Sequence, residues 1–138
     1  MAQPLANSEL AVMNLLWDRD QRLTAREIRE SLYPDESKPQ HGTVQRLLQR
    51  LEEKGYIERD KSLSVHFFVP RITRDDYAGQ QMELLADKLT SGSFAPLITH
   101  LFERKKISKQ DVTRLGQLLE EYGEDHKSKN RKNKRSES

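Results

Sequence analysis

The chain of 138 residues contains no cysteine, and this absence narrows the chemistry open to it. Disulfide bonds, thiol catalysis and thiolate metal sites are all excluded. No apolar run approaches the ~18 residues that a membrane-spanning helix needs. The opening residues, MAQPLANSE, hold neither the basic nor the apolar segment of a secretory signal, so we expect a cytoplasmic protein.

The chain also contains few apolar side chains. The hydrophobic set makes up 34% of the chain and charged residues make up 33%. Even with the 6 glycines added, the apolar share stays below the roughly 45–50% of an ordinary globular domain. We therefore expect a thin core, an unpacked segment or a partner that completes the burial of apolar surface.

The last segment, residues 124–138, has no aliphatic or aromatic side chain. It cannot bury enough surface to offset the entropy of ordering, so it is predicted to be a disordered basic tail. The tail holds six Lys or Arg and three acidic residues, which leaves a net charge of −1 for the rest of a chain whose total is +2. A basic surface outside the tail must therefore come from the placement of charges.

The apolar pattern divides the chain near Pro70. The first part shows helical stretches and then two short strands, at about residues 7–17, 24–33, 41–54, 56–58 and 65–69. Residues 71–123 show three more helical stretches and no strand pattern. This order predicts a mainly α fold with a small β-hairpin wing: a winged helix-turn-helix domain over residues 1–70, followed by a helical dimerisation domain over residues 71–123.

Three of the predicted helices begin with a recognisable capping sequence. Thr24, Thr73 and Ser108 are each followed three residues later by Glu or Asp, and apolar residues flank each pair. The hydroxyl can accept a hydrogen bond from the backbone of the first turn, and the carboxylate suits the positive end of the helix dipole. These sequences therefore predict where the helices start.

The third helix has one apolar face and one polar face. Val44, Leu47, Leu48 and Leu51 follow an i, i+3, i+4, i+7 pattern, which predicts that this face is buried. In a winged helix the third helix lies in the DNA major groove. Arginine can pair with guanine and glutamine with adenine, so the polar face supplies the candidate base contacts: Thr43, Gln45, Arg46 and Gln49.

Other basic residues flank this helix. The candidates for contacts to the DNA backbone are His41, Arg50, Arg59 and Lys61, with Lys38 in the preceding linker. Lys61 is predicted to lie at the tip of the hairpin. Gly42, near the helix start, has no side chain and so allows close approach to base edges.

The second half of the chain is too small to be stable alone, since about 50 residues in three helices bury little apolar surface. Its apolar side chains are predicted to form a homodimer interface: Leu84, Leu85, Leu89, Leu97, Ile98, Leu101, Phe102, Leu115, Leu119 and Tyr122. Two-fold symmetry would present two reading helices to a palindromic operator in double-stranded DNA. The alternative is that these helices fold back on the first domain.

No catalytic constellation is present. No two of the four histidines lie at metal-ligand spacing, and the sequence has neither a glycine-rich phosphate loop nor a G-x-S-x-G motif. We therefore predict a protein that is not an enzyme and has no metal or cofactor. Two alternatives to DNA binding stay open: a winged helix that binds protein, and a regulator with a small-molecule pocket around Trp17, Tyr77 and Phe68.

The order of several segments resembles the BlaI/MecI/CopY family of penicillinase, methicillin and copper-responsive repressors. The similarity spans about Leu5 to Glu121 and rests on SELAVMNLLWD, LTAREIRESL, TVQRLLQRLEEKGYIER, FFVPRITRDDY and GSFAPLITHLFERKKISKQDVTRLGQLLEE. The resemblance implies a homodimeric winged-helix transcriptional repressor that binds palindromic operators.

The chain departs from this family at three places. Copper-responsive members carry Cys-x-Cys motifs, so the absence of cysteine excludes copper sensing by that route. The β-lactam-responsive members are cleaved between Asn and Phe by a membrane-bound sensor protease, and the matching pair here is His100-Leu101. The family also favours Pro at the position of His41 and Lys at that of Gly42, so its operator sequence does not carry over.

Overall fold

The computed structural model describes residues 4–35 and 41–137, with side chains for 4–35 and 42–124. Lys38 and the side chain of His41 lie outside these ranges. The elements in chain order are α1 (Asn7–Arg19), β1 (Leu23–Thr24), α2 (Ala25–Leu32), α3 (His41–Glu53), β2 (Ile57–Asp60), β3 (Phe67–Pro70), α4 (Arg74–Leu89), α5 (Ala95–Glu103) and α6 (Lys109–Glu137). No described helix combines the length and the apolar character needed to cross a membrane.

The strands form a three-stranded antiparallel sheet in the order β1-β3-β2. The predicted hairpin is present, with Glu58 opposite Val69, although Val65 lies in the connection instead of the strand. The strand β1 was missed. In this strand Leu23, an apolar residue just before α2, pairs with Phe68. A strand of two residues is too short to show the alternation that identifies strands in a sequence.

The core lies where α1, α2 and α3 pack on the sheet. Its buried residues are Val12, Met13, Leu16, Leu23, Ile28, Val44, Leu47, Leu48, Leu51, Tyr56, Ile57 and Phe68. All four apolar residues of the α3 stripe belong to this set. The helix order, the buried stripe and the small sheet confirm the predicted winged-helix fold.

The predicted capping residues start their helices as expected. The Thr24 hydroxyl accepts a hydrogen bond from the Glu27 backbone at 3.1 Å, and the Glu27 carboxylate accepts one from the Thr24 backbone. Thr73 and Ser108 each accept a hydrogen bond from the backbone N–H three residues later. Capping is a local interaction, which is why sequence alone locates it.

The chain divides into two compact units after Leu85, later than the predicted boundary at Pro70. The reason is that the first half of α4 packs on the winged helix. The Tyr77 hydroxyl accepts a hydrogen bond from the Leu5 backbone, and its ring contacts those of Trp17 and Tyr56. The first unit therefore includes the start of α4.

The second unit begins at Ala86 and contains α5 and α6. Between α4 and α5 the chain turns at Ser91 and Gly92, which both have positive φ, 52° and 87°. Helix α6 continues to Glu137, whereas the sequence predicted disorder from residue 124. Lys, Arg and Glu have favourable intrinsic helix propensities, so this helix continues without apolar residues to bury.

Candidate nucleic-acid interface

Helix α3 is oriented by its apolar stripe. Val44, Leu48 and Leu51 are fully buried, and these residues fix which side of the helix faces away from the core. Of the predicted base-contact residues, Thr43, Arg46 and Gln49 are exposed, and Gln45 is half-buried. The structure thus brings this set together on the outer side of one helix.

The outer face of α3 is open and polar. A Cβ atom added at Gly42 would meet nothing within 4 Å, so packing within the described residues does not require glycine there. Arg46 makes no hydrogen bond or ion pair within the described part of the chain, whereas the Gln49 amide donates to Glu53 at 3.2 Å. The Arg46 guanidinium is therefore available to a ligand, and Gln49 must exchange a partner to bind one.

The half-buried Gln45 lies at the edge of a groove between α2, α3 and the wing. The groove has a volume of about 560 Å³, and its lining includes Thr24, Arg26, Arg59 and His66. The charged side chains of this lining, Arg26 and Arg59, are both basic. Arg26 is paired with Glu30 and Arg59 with Glu52, so each would have to exchange a partner to bind an anion in this groove.

The tip of the wing, residues 61–66, projects polar and apolar groups. Lys61 is exposed, and Leu63 and Val65 are each 54% exposed. Hydrogen bonds from the Ser62 hydroxyl and backbone, with a further contribution from Arg22, lower the pKa of the Asp60 carboxyl. Asp60 is therefore charged at neutral pH. Its carboxylate forms an ion pair with the Arg22 guanidinium at 2.8 Å, at the base of the wing.

Arg59, a predicted backbone contact, does not project freely from the wing. Its Nε and Nη2 atoms donate to Oε1 of Glu52 at 3.1 and 2.5 Å, and its Nη1 atom lies 3.3 Å from Nδ1 of His66. The guanidinium also lies 5.0 Å from the centre of the Phe68 ring. Arg59 is thus engaged within the protein, whereas Arg46 and Arg50 make no hydrogen bond or ion pair within the residues that the structure describes.

The sequence did not indicate an ion pair that lies just after the C-terminal end of α3. Glu9 is buried, and Nζ of Lys54 lies 2.9 Å from both of its carboxylate oxygens. Burial raises the pKa of Glu9, but hydrogen bonds from Lys54 and the Ala6 backbone, with the charges of Lys54 and Arg50, outweigh burial and lower it overall. The two residues are 45 positions apart, so no local pattern relates them.

The structure does not gather Trp17, Tyr77 and Phe68 around one pocket. The centres of the Trp17 and Tyr77 rings lie 5.9 Å apart, and the indole N–H of Trp17 donates a hydrogen bond to the Ile72 carbonyl at 2.9 Å. Trp17 lines an open groove of about 500 Å³, whereas Phe68 lines the separate groove beside Gln45. Within the described residues, no group of three or more His, Cys, Asp or Glu side chains is placed to hold a metal ion.

The apolar side chains predicted to form a dimer interface remain poorly covered. Leu89 is 65% exposed, Leu119 73% and Tyr122 66%. The other members are half-buried or exposed: Leu84, Leu85, Leu97, Ile98, Leu101, Phe102 and Leu115. No residue of α5 is buried, and the pair His100-Leu101 lies on its exposed surface.

Three helices, a small wing sheet and an outward polar face on the third helix define a winged helix-turn-helix protein of the type found in transcriptional regulators. Residues 5–121 match the sequence profile of the penicillinase repressor family. The chain belongs to that family, which confirms the resemblance to the BlaI and MecI repressors. Its relatives are regulators and not enzymes, in agreement with the sequence prediction.

Three relatives illustrate the similarity. The chain is 26% identical over 118 residues to the penicillinase repressor of Bacillus licheniformis, covering 86% of this chain and 91% of the relative. It is 32% identical over 111 residues to the transcriptional regulator BlaI of Mycobacterium tuberculosis, with 80% of each chain covered. It is 23% identical over 115 residues to the methicillin resistance regulatory protein MecI of Staphylococcus aureus, covering 83% and 92%.

Proposed function

We propose that this member of the penicillinase repressor family is a cytoplasmic homodimer that binds a palindromic operator and blocks transcription. One observation carries the proposal: the buried stripe of α3 leaves Thr43, Arg46 and Gln49 exposed together on its outer face. One relative named a penicillinase repressor and another named a transcriptional regulator support the same role.

Base recognition is assigned to the outer face of α3. The fork of Arg46 matches the two acceptors of guanine, and the amides of Gln45 and Gln49 match the donor and acceptor of adenine. Thr43 can donate to a base or to a phosphate. Arg46 is the principal reader in this proposal, because its guanidinium has no competing partner within the described residues.

Backbone contacts are assigned to the basic residues around this face. Arg50 and Lys61 are exposed and make no ion pair within the part of the chain that the structure describes. Each can therefore neutralise a phosphate and release a counterion. His41 is proposed for the same role at the start of α3, where the positive end of the helix dipole attracts anions.

Self-association is proposed to cover the apolar surface of the second unit. Leu101 and Phe102 on α5 and Leu119 on α6 are 43%, 45% and 73% exposed. Exposed large apolar residues concentrated on two helices are typical of an interaction surface. A second copy of the chain is the best candidate to cover this surface, because a dimer would also present two α3 helices to a palindromic site.

Release from the operator then requires weakening of the dimer or of the DNA contacts. Cleavage by a membrane sensor protease at His100-Leu101 would separate α6 from the winged helix and remove much of the apolar surface. The altered residues at this pair also allow a different inducing signal.

The experiment is a selection from random duplexes with the full chain, followed by sedimentation of the free protein and of the complex. The proposal predicts an enriched inverted repeat and a stoichiometry of two chains per site. A strictly monomeric protein, or the absence of enrichment from every pool, would contradict it. Protein capture in place of DNA enrichment would favour the alternative of a winged helix that binds protein.

A further inference from the structure

Two arginines brace the wing from opposite sides of β3. Arg22 stacks on the Phe67 ring at 4.5 Å and binds Asp60, whereas Arg59 stacks on the Phe68 ring at 5.0 Å and binds Glu52. Phe67 and Phe68 are consecutive in one strand, so their side chains point to opposite faces. The wing is therefore held by one arginine on each face.

Of these two arginines, only Arg59 binds a residue of α3. Glu52 lies in the last turn of α3, and Arg59 lies in β2, two residues before Lys61 at the wing tip. The Arg59 and Glu52 side chains are only 26% and 29% exposed, so water screens this pair less than a surface pair. Any shift of the wing relative to α3 must break it.

We propose that Arg59 is a positioning residue, which sets the wing against α3 so that Lys61 meets the DNA backbone, and that it does not itself bind phosphate. The proposal rests on DNA binding by this domain. It also explains why an acidic residue, Glu52, lies beside a DNA-binding surface: its carboxylate holds the guanidinium that holds the wing.

The first test is Arg59→Lys, which keeps the charge and removes the planar fork. Lysine serves well as a point charge for phosphate, so a direct contact would survive the change. It cannot bind Glu52 through two nitrogens while also contacting His66 and stacking on Phe68. The proposal predicts a loss of operator affinity of at least about fivefold, and unchanged affinity would overturn it.

The second test is Glu52→Ala, for which the two explanations predict opposite signs. Removal of an acid from a DNA-binding surface strengthens binding if charge alone acts. The proposal predicts weaker operator binding, because Arg59 loses its partner. Glu58→Ala is the matched control, since Glu58 is exposed, lies next to Arg59 and makes no ion pair in the described structure. Tighter binding by Glu52→Ala would contradict the proposal.

The third test is a double-mutant cycle between Arg59→Lys and Lys61→Ala. If Arg59 acts through the wing tip, its effect largely disappears once Lys61 is absent. Additive losses, or no loss from Lys61→Ala alone, would overturn the proposal. Circular dichroism and thermal unfolding must show each variant folded as the wild type, so that a changed affinity reports wing position. A wild-type chain that binds no duplex would instead refute the proposed function.

Discussion

Lys54 places its ammonium nitrogen 2.9 Å from each carboxylate oxygen of Glu9 and so joins the chain just after α3 to the first turn of α1. Glu9 is buried, and it also accepts a hydrogen bond from the Ala6 backbone at 2.9 Å. One carboxylate thus caps α1 and anchors the C-terminal end of α3. The orientation of α3 depends on this pair as well as on the apolar stripe.

Glu9→Gln should destabilise the fold, because it leaves the Lys54 ammonium partly buried beside a neutral group. We expect a loss of about 1–3 kcal/mol in the free energy of unfolding, measured by urea denaturation. Glu58→Gln, the same substitution at an exposed position, should leave the free energy of unfolding within about 0.5 kcal/mol of the wild-type value. Equal effects at the two positions would show that the ion pair contributes nothing.

The Glu9–Lys54 pair makes the free energy of unfolding depend on pH in the acidic range. The pKa of Glu9 is lowered below its ordinary value of 4.5 in the folded chain, so ionised Glu9 stabilises the fold above that value. This contribution is lost as the pH falls through the lower, folded pKa. The difference in the free energy of unfolding between the wild type and Glu9→Gln should therefore shrink as the pH falls below 4.5. A constant difference across the acid range would contradict the assignment.

Leu119→Asp should weaken self-association, since Leu119 is 73% exposed and belongs to the proposed interface. A buried carboxylate there should raise the dimer dissociation constant at least about tenfold in sedimentation experiments. Leu63→Asp is the control, because Leu63 is a similarly exposed leucine on the wing. The dimer interface lies elsewhere if the wing variant dissociates and the α6 variant does not.

Deletion of residues 124–138 should leave the dimer intact and weaken DNA binding at low salt. The segment contributes a net charge of +3 and no apolar side chain. The slope of log affinity against log salt should become shallower by about 0.9 for each phosphate that the tail neutralises in the wild-type complex. An unchanged slope would show that the tail does not touch DNA.

The features that sequence predicted correctly are those set by residues close together in the chain. The α3 stripe and the Thr24 capping box each span no more than about two helical turns, and both occur as expected. The missed features join distant positions. The β1 pairing of Leu23 with Phe68, the Glu9–Lys54 pair and the position of the unit boundary all depend on tertiary packing.

Arg59 shows the same limit within the candidate site. Its position next to the wing tip favours a phosphate contact, and only the folded chain brings Glu52, His66 and Phe68 around it. Arg46 has no such neighbours within the described residues, so its availability follows from the helical pattern alone. Side chains facing solvent are thus easier to assign from sequence than side chains that face another element.

The central claim is that the outer face of α3 reads bases, and Arg46→Ala tests it most directly. Affinity should be measured on the selected operator, on operators substituted at each position, and on unrelated DNA, with Arg71→Ala as an exposed arginine control outside α3. The account predicts a loss of about 1–3 kcal/mol on the operator, with discrimination relaxed at one base pair of each half-site. An equal loss on every duplex would contradict it.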